Sequence, residues 1–196
     1  MNMRKIYNYI KRYFSNRYIK DCYGINNTIQ IDRSSYCKHT FIKIRGNNNK
    51  LIIGKQCYIG NNCTFILEGN NINITIGDYC TFTSDIEINA QENNMQIYIS
   101  NDCMLSNHII VRTSDSHPIY DMNTKERLNN PKSIFIGEHV WIAPNSKIMK
   151  GAVINKGSII GSDSMVTTEI PESSLAVGHP AKVVKENIFW TREPLF

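Results

Sequence analysis

The sequence predicts an all-β fold, a solenoid of short strands, and three observations support this prediction. A large aliphatic residue recurs at every sixth position toward the C-terminal end, and a small residue follows four positions after each one. Blocks of the same frame recur upstream, separated by Asn-rich segments. A fixed period of this kind is the signature of a repeat architecture, in which each unit buries its apolar side against its neighbours.

The aliphatic positions define the repeat unit. They are Ile136, Ile142, Ile148, Ile154, Ile160 and Val166. The small fifth positions are Val140, Ser146, Ala152, Ser158 and Ser164. Neither an amphipathic helix nor an alternating strand produces a six-residue spacing. We therefore expect three six-residue edges to form one triangular turn, with the bulky side chain inside and the small one at the corner.

The upstream blocks "IGKQCY", "IGNNCT", "IGDYCT" and "ISNDCM" place a cysteine in the small slot. These residues are Cys57, Cys63, Cys80 and Cys103. Free cysteine behaves as a small buried apolar residue, and no Cys-x-x-Cys pair occurs, so neither a disulfide nor a metal site is predicted. The breaks "GNNNK", "EGNNINI" and "QENNM" are expected to form corners and small bulges, because Asn tolerates a left-handed backbone.

Composition restricts the partners. The chain has 22 Lys and Arg residues against 17 Asp and Glu, a net charge of +5, which mildly favours anionic partners such as phosphates or acidic glycans. The body of the chain has no Lys/Arg block and no motif of a nucleic-acid reader, so nucleic acid is not predicted. The length of 196 residues suits one domain.

The first 22 residues predict a basic amphipathic helix. Its apolar positions recur at helical spacing at Ile6, Ile10, Phe14 and Tyr18. The segment is too polar for a signal peptide or a membrane span, which predicts a cytoplasmic protein. Two interpretations of the helix stay open: it packs on the domain, or it makes a peripheral contact with an anionic membrane surface.

The remaining chain divides into a solenoid domain and a tail. We expect the domain to occupy residues 23–185, with residues 113–133 extruded as a loop where the repeat is suspended. Residues 186–196 are expected to pack back as a helix or an extended arm, anchored by Phe189 and Trp190.

The loop carries the candidate chemistry in the stretch "TSDSHPIYD". A Ser-His-Asp triad is not favoured, because no Gly-x-Ser-x-Gly elbow surrounds the serines. A zinc site would need three ligands, and the nearby histidines His108, His117 and His139 are isolated in the sequence. A single loop histidine instead suits a general base that removes a proton from a hydroxyl as it attacks a thioester.

The repeat, the loop and the closing "VGHPAKVV" together resemble the hexapeptide-repeat acyltransferases. The stretches "SDSHPIYD" and "IGEHVWIAPNSKIMKGAVI", with Arg127, Asn129 and Asn130 between them, are most similar to the bacterial surface-polysaccharide O-acetyltransferases of the sialic-acid capsule type. This resemblance implies a left-handed parallel β-helix. It also implies that His117 is the catalytic base and that Trp141 lies in the active site.

Three further residues are candidates around His117. Asp115 either orients the histidine or caps the loop, and the sequence leaves both roles open. Tyr120 and Arg127 are predicted to contact the acceptor, because an acidic sugar offers a carboxylate to a guanidinium fork. His139 is expected to face solvent from its repeat position.

The donor side follows from the resemblance. It implies that acetyl-CoA lies in a groove between two subunits of a homotrimer, against the backbone near Ala143, Gly161 and Ser162. Small residues permit such close approach. Lys182 and Lys185 are predicted partners of the coenzyme A phosphates.

The donor that stabilises the oxyanion is a separate question, and two candidates stay open. They are the indole of Trp141 and a backbone N–H near Ala143.

Three functions are therefore considered. The leading hypothesis is an acetyl-CoA-dependent O-acetyltransferase whose glycan acceptor is a bacterial capsule or surface polysaccharide. The alternative is an N-acyltransferase acting on a nucleotide-linked amino sugar. A non-catalytic, surface-binding solenoid would need long outward arrays of one residue type, and only Thr167 and Thr168 hint at one.

Overall fold

The computed structural model describes residues 17–195, where 21 strands wind into the three faces of a solenoid. Face A contains β1 (Arg17–Tyr23), β3 (Tyr36–Arg45), β6 (Thr64–Glu68), β9 (Glu87–Gln91), β12 (Ile110–Arg112), β15 (Lys147–Ile148) and β18 (Met165–Val166). Face B contains β2 (Thr28–Ile31), β4 (Lys50–Ile53), β7 (Asn73–Ile76), β10 (Gln96–Ile99), β13 (Ile134–Ile136), β16 (Val153–Ile154) and β19 (Glu169–Ile170). Face C contains β5 (Tyr58–Asn61), β8 (Thr81–Ser84), β11 (Met104–Asn107), β14 (Trp141–Ile142), β17 (Ile159–Ile160), β20 (Leu175–Gly178) and β21 (Ala181–Lys185).

The strands of each face pair in parallel with those of the next coil. Strand β3 bends at His39 (φ 49°), so its first residues pair with β5 on face C and its later ones with β6 on face A. At the C-terminal end β21 folds back antiparallel on β20. The prediction of an all-β solenoid of parallel strands is confirmed, and residues 17–195 contain no helix.

The repeat positions face the interior as predicted. The six aliphatic residues from Ile136 to Val166 are fully buried, and so are the five small residues at the corners. Two of the buried corner hydroxyls donate to carbonyls of the next coil: Ser146 Oγ to Gly161 O at 3.0 Å and Ser158 Oγ to Pro171 O at 2.6 Å. A small polar residue therefore fits the corner without leaving a buried group unpaired.

The four slot cysteines are buried and free, as predicted. The Sγ atom of Cys80 donates to Ser100 O at 3.1 Å, and that of Cys103 donates to Gly137 O at 3.1 Å. Burial raises the pKa of the Cys63 thiol to about 11. A thiol that stays protonated at neutral pH is a poor nucleophile and a poor metal ligand, which favours a structural role for Cys63.

The coils are wide at the N-terminal end and narrow at the C-terminal end. Corresponding residues Ile53, Ile76 and Ile99 lie 23 positions apart, whereas Ile136 and Ile154 lie 18 apart. The additional residues lengthen the strands of faces A and B, which shorten to two residues in the last coils. The six-residue frame alone did not predict this taper.

The Asn-rich breaks form the corner between faces A and B, as predicted. Asn48, Asn71 and Asn94 all have left-handed backbones, with φ between 58° and 63°. Their side-chain amides donate from coil to coil, Asn48 to Asn71 at 3.3 Å and Asn71 to Asn94 at 3.1 Å. The ladder satisfies these side chains where the chain turns.

Two expectations about the ends need correction. The predicted helix over residues 1–22 is wrong for residues 17–22, which belong to β1; residues 1–16 lie outside the described part of the chain. Pairing of β1 with β3 overrides the helical spacing, and Asp21 accepts from Arg45 at 2.5 Å. In residues 17–195 no helix is long and apolar enough to span a bilayer.

The tail is extended up to residue 195, so of the two predicted forms the arm is the observed one. Trp190 is buried and anchors it as expected. Phe189, the other predicted anchor, is 88% exposed, so that prediction is wrong. The side chains of Phe189 and Trp190 therefore meet different surroundings although the residues are neighbours.

Substitutions at two adjacent residues of β4 test which side chains of the strand face the interior of the solenoid. Ile53 is buried and Ile52 is only half-buried. We expect Ile53→Ala to lower the free energy of unfolding by about 2–5 kcal/mol, since it removes buried methylene groups and leaves a cavity. Ile52→Ala, the matched control, should cost less than half as much. Denaturant unfolding of both variants checks this prediction. An equal loss of unfolding free energy in the two variants would contradict the inward orientation of Ile53.

Candidate active site

The loop between β12 and β13 is fixed at its base to the preceding coil. The Thr113 amide donates to Asn89 O at 3.1 Å, and the Lys132 amide closes the loop by donating to Thr113 O at 3.0 Å. The Thr113 hydroxyl donates to Gln91 O at 3.0 Å and accepts from the Gln91 amide at 2.9 Å. The loop therefore leaves the corner between faces A and B from a rigid base.

Asn129 organises the backbone around His117. Its side chain is buried, and its Oδ1 accepts from the Ile119 amide at 2.7 Å. Its Nδ2 donates to His117 O at 2.8 Å and to Asp115 Oδ2 at 2.9 Å. Asn129 belongs to the family motif in the sequence, but no local pattern predicts its role, because it lies 12 residues from His117.

The His117 side chain is exposed and unpaired. No hydrogen bond or ion pair joins its imidazole to another residue of the segment 17–195. Its own carbonyl is held by Asn129, so the backbone is fixed while the ring stays available to a ligand. A general base needs a free ring nitrogen within reach of the proton that it removes.

Asp115 anchors the loop to the next coil. Its Oδ2 accepts from Lys150 Nζ at 2.5 Å as well as from Asn129, and the Lys150 ammonium also donates to Asn129 O at 3.2 Å. The hydrogen bonds from Lys150 and Asn129 lower the pKa of the Asp115 carboxyl. No hydrogen bond links this carboxylate to the His117 imidazole in the described chain. Of the two roles left open by the sequence, the geometry supports the loop cap.

Arg127 already has a carboxylate partner. Its Nη1 and Nη2 donate to the two oxygens of Glu92 at 2.5 and 2.8 Å, and Glu92 also accepts from Ser114 Oγ at 2.6 Å. The bond from Arg127 lowers the pKa of Glu92. This bidentate pair occupies the guanidinium fork that was predicted to bind an acidic acceptor, so the geometry supports an anchoring role for Arg127 in the loop.

Tyr120 lies at the tip of the loop and is 58% exposed. A backbone bridge pairs it with Arg127, and the Asp121 carboxylate closes the turn by accepting from the amides of Asn123 and Thr124, both at 2.8 Å. The phenol therefore stands on an ordered turn and is available for an acceptor contact.

Trp141 lies on β14 of face C, whereas the loop leaves the opposite corner. Its ring is half-buried, and its Nε1 donates to Ser106 Oγ over a long 3.5 Å. No hydrogen bond, ion pair or ring contact in residues 17–195 joins Trp141 to the loop. One chain thus presents His117 and Trp141 on separate corners and does not bring them into direct contact.

The backbone amides that follow Trp141 on face C form hydrogen bonds between coils. The Ala143 amide itself donates to Ile160 O at 2.9 Å, so this N–H is engaged in the sheet, and the choice of oxyanion donor stays a prediction. A Cβ atom on Gly161 would lie 2.6 Å from Val177 Cγ1, which gives this glycine a packing reason of its own. Ser162 is exposed beside it.

The terminal hairpin presents two of the predicted donor contacts. Lys182 and Lys185 lie on β21, and both are exposed. Neither forms an ion pair with an acid in the described chain. Two unpaired ammonium groups on one short strand are suited to phosphate groups.

The prediction that His139 faces solvent is wrong. Its Nδ1 lies 2.6 Å from Asp102 Oδ2, its Nε2 donates to Trp190 O at 3.0 Å, and its ring stacks on the Trp190 indole. The tail folds back over this corner and covers it, which the repeat could not show. His108, His117 and His139 occupy three different corners of the solenoid, so they do not converge on one site.

The Arg127–Glu92 ion pair should protect the loop from proteolysis. The side chains of both residues are only about a quarter exposed, at 25% and 29%. A charge-assisted hydrogen bond of this kind contributes about 1.5–3 kcal/mol, so Glu92→Gln should speed trypsin cleavage after Lys125 by roughly tenfold. Glu172→Gln, an exposed position in the last coil and away from the cleaved bond, is the control. Cleavage of Glu92→Gln at the wild-type rate would contradict the anchoring role.

The two anchoring carboxylates predict acid sensitivity of the loop. Glu92 and Asp115 both have lowered pKa values in the folded chain. Their contribution to stability is therefore complete above the ordinary carboxyl pKa, and it is lost as the pH falls through the lowered values. We expect amide exchange of Ile119 and Leu128, corrected for intrinsic rates, to rise only below about pH 4. A rise on the alkaline side would contradict this assignment.

Comparison with known proteins places this arrangement in a family. Residues 133–168 match the model of the bacterial transferase hexapeptide family, six repeats. The crystal structure of the polySia specific acetyltransferase NeuO superimposes with a TM-score of 0.72 at 30% identity and covers 91% of each chain. That match agrees with the left-handed coil that the resemblance implied.

Two curated relatives have the same activity in their names. The polysialic acid O-acetyltransferase of Neisseria meningitidis is 36% identical over 189 residues, which are 87% of this chain and 88% of that protein. The polysialic acid O-acetyltransferase of Escherichia coli O1:K1 is 40% identical over 84 residues, which are 43% of this chain and about a quarter (27%) of that protein. The predicted resemblance is confirmed: the chain belongs to the family of hexapeptide-repeat O-acetyltransferases that includes these enzymes.

Proposed function

We propose that this protein transfers an acetyl group from acetyl-CoA to a hydroxyl of a bacterial capsule or surface polysaccharide that contains sialic acid. The observation that carries the proposal is His117, whose backbone is held by Asn129 while its imidazole is exposed and unpaired. A fixed backbone limits where the ring can lie, and an unpaired ring accepts a proton from a bound hydroxyl.

The reaction assigned to His117 is direct transfer. A ring nitrogen of His117 takes the hydroxyl proton while the hydroxyl oxygen attacks the thioester carbonyl. The tetrahedral intermediate then collapses, the C–S bond breaks and the thiol of coenzyme A leaves with a proton. No covalent bond to the enzyme forms in this scheme.

A second subunit completes the site in this proposal. His117 and Trp141 lie on separate corners of one chain, so a homotrimer that places the loop of one copy against face C of its neighbour would bring them together. Acetyl-CoA would then lie between two copies, with its thioester near Trp141. The Trp141 indole is the oxyanion donor we favour, since its bond to Ser106 is long and the Ala143 amide is engaged.

Lys182 and Lys185 are assigned to bind the phosphate groups of acetyl-CoA. Both are exposed on β21 and without acidic partners in the described chain. The route between these lysines and Trp141 follows the lower coils of face C, past the predicted contacts Ala143, Gly161 and Ser162.

The acidic acceptor has two supports. The named relatives act on polysialic acid, and the chain has a net charge of +5. Arg127 contributes to the acceptor site indirectly by holding the loop, whereas Tyr120 is free to contact a sugar. A cytoplasmic location and a membrane contact of the N-terminal residues stay predictions.

Thiol release from acetyl-CoA tests the proposal. The panel contains polysialic acid, neutral capsule polymers and nucleotide-linked amino sugars. We expect release with polysialic acid, and a loss of about 10²–10⁴-fold in kcat for His117→Ala, since that is the usual contribution of a general base. His108→Ala, an exposed histidine on another corner, is the matched control and should retain activity. Turnover only with amino sugars would instead establish the N-acyltransferase, and full activity of His117→Ala would remove the assigned base.

A further inference from the structure

The C-terminal residues 188–192, here called the strap, run along the corner between faces B and C. The Ile188 amide donates to Ser173 O at 2.9 Å in the last coil. Trp190 then packs on His139, and Arg192 reaches Asp102 and Tyr79 in earlier coils. Five residues thus connect successive coils, in the direction opposite to that of the solenoid.

Trp190 docks through a reciprocal contact with His139. The two rings stack with centroids 4.0 Å apart and planes 10° apart. The Trp190 Nε1 donates to His139 O at 3.0 Å, and the His139 Nε2 donates to Trp190 O at the same distance. Stacking and two hydrogen bonds define both the depth and the orientation of the indole.

Arg192 secures the end of the strap. Its Nε donates to Asp102 Oδ1 at 2.6 Å, its Nη1 to Thr81 Oγ1 at 3.0 Å, and its Nη2 to Tyr79 O and Cys103 O at 3.2 and 3.0 Å. A guanidinium that finds four acceptors is bound in one geometry.

The Asp102 carboxylate joins the two anchors. One oxygen accepts from Arg192, and the other lies 2.6 Å from His139 Nδ1. Burial raises the pKa of Asp102, but the hydrogen bonds from His139 and Arg192 outweigh this effect and keep the pKa below its usual value. The carboxylate therefore stays ionised at neutral pH. It binds Arg192 of the strap and also His139, on which Trp190 packs.

The docking is specific and not a general apolar covering. Phe189 is 88% exposed and Leu195 is fully exposed, although both are large apolar residues. Trp190, between them, is 8% exposed. The tail thus buries the side chain that reaches Trp141 and leaves Phe189 and Leu195 in solvent.

Trp190 is also the aromatic neighbour of Trp141. The ring centroids are 5.9 Å apart, with the planes tilted by 47°. In residues 17–195 the Trp141 indole has one side-chain hydrogen bond, the long 3.5 Å contact from Nε1 to Ser106 Oγ, and one aromatic contact, which is with Trp190. Of these two contacts, the one with Trp190 is set by the tail.

We propose that the strap sets the orientation of Trp141, with Trp190 and Arg192 as positioning residues for the acetyl transfer. The inference rests on the proposed function, in which Trp141 lies beside the thioester. Arg192 acts through Trp190: it ties the strap to Asp102, and Trp190 then packs against Trp141. A small misplacement of an active-site group can cost a large part of the rate.

Circular dichroism provides a readout that does not depend on turnover. Trp141 and Trp190 are the two tryptophans of the chain, and two tilted indoles at this distance couple to give a paired positive and negative band in the far ultraviolet. We expect this couplet in the wild-type protein and its loss in Trp190→Phe. In Arg192→Ala, which keeps both indoles, a weaker couplet would show that the arginine holds the strap. Glu193→Ala, the exposed neighbour, is the control.

The kinetic arm uses the same variants with the best acceptor of the panel. We expect Arg192→Ala and Trp190→Phe to lower kcat/KM by roughly ten- to a hundredfold, and Glu193→Ala to leave it unchanged. Arg192→Lys keeps the charge without the fork and should recover only part of the loss.

The outcomes separate this inference from the proposed function. A weaker couplet in Arg192→Ala with lower kcat/KM supports the positioning role. A weaker couplet with wild-type kinetics, or a wild-type couplet in Arg192→Ala, overturns it. If the wild-type protein releases no thiol with any acceptor, the proposed function fails and the positioning role for acetyl transfer fails with it, while the couplet still reports whether Arg192 holds Trp190 against Trp141.

Discussion

The structure depends on one constraint: every coil pairs its backbone in register with the next, so corresponding residues stack in columns. Parallel pairing fixes the vertical position of each residue, and the alternation of the strand fixes its inward or outward direction. Each corner must then turn within a few residues, which requires a left-handed backbone at the same place in successive coils. Tyr79, Asp102 and His139 share such a column, with φ values of 62°, 58° and 56°. A residue's position in the repeat therefore decides its surroundings.

This constraint explains how much of the fold the sequence predicts. The interior aliphatic residues and the cysteine slots follow from the six-residue frame, because each position of the frame corresponds to one column of the solenoid. The Asn corners follow from the breaks between the blocks of this frame. The ends do not follow from it. Residues 17–22 continue an apolar spacing that suits a helix, but the open edge of β3 offers backbone pairing that no local pattern reveals. The burial of Trp190 likewise depends on His139, which is 51 positions away.

The candidate site divides in the same way. His117 is identifiable from the sequence because it is the histidine of an extruded loop within a recognisable family motif. The residues that hold the loop are not identifiable, since Glu92 and Lys150 lie in neighbouring coils, 35 positions from Arg127 and Asp115. The sequence suggested that Arg127 offers its charge to an acceptor. The structure shows that the guanidinium is already paired with Glu92 of the preceding coil, a contact that the local sequence does not reveal.

The loop lies at the step where the coils narrow. Above it the coils are 23 residues around, and Glu92 at the corner between faces A and B extends from a wide coil; below it the coils are 18 residues around, and Lys150 belongs to a narrow one. Strand pairing continues across this step, from Ile99 to Ile136, although the loop separates the two residues by 37 positions. Arg127 then binds the coil above and Asp115 the coil below. A loop held from both sides keeps the backbone of His117 in place while its ring stays free, and this combination of rigidity and access is what a general base requires.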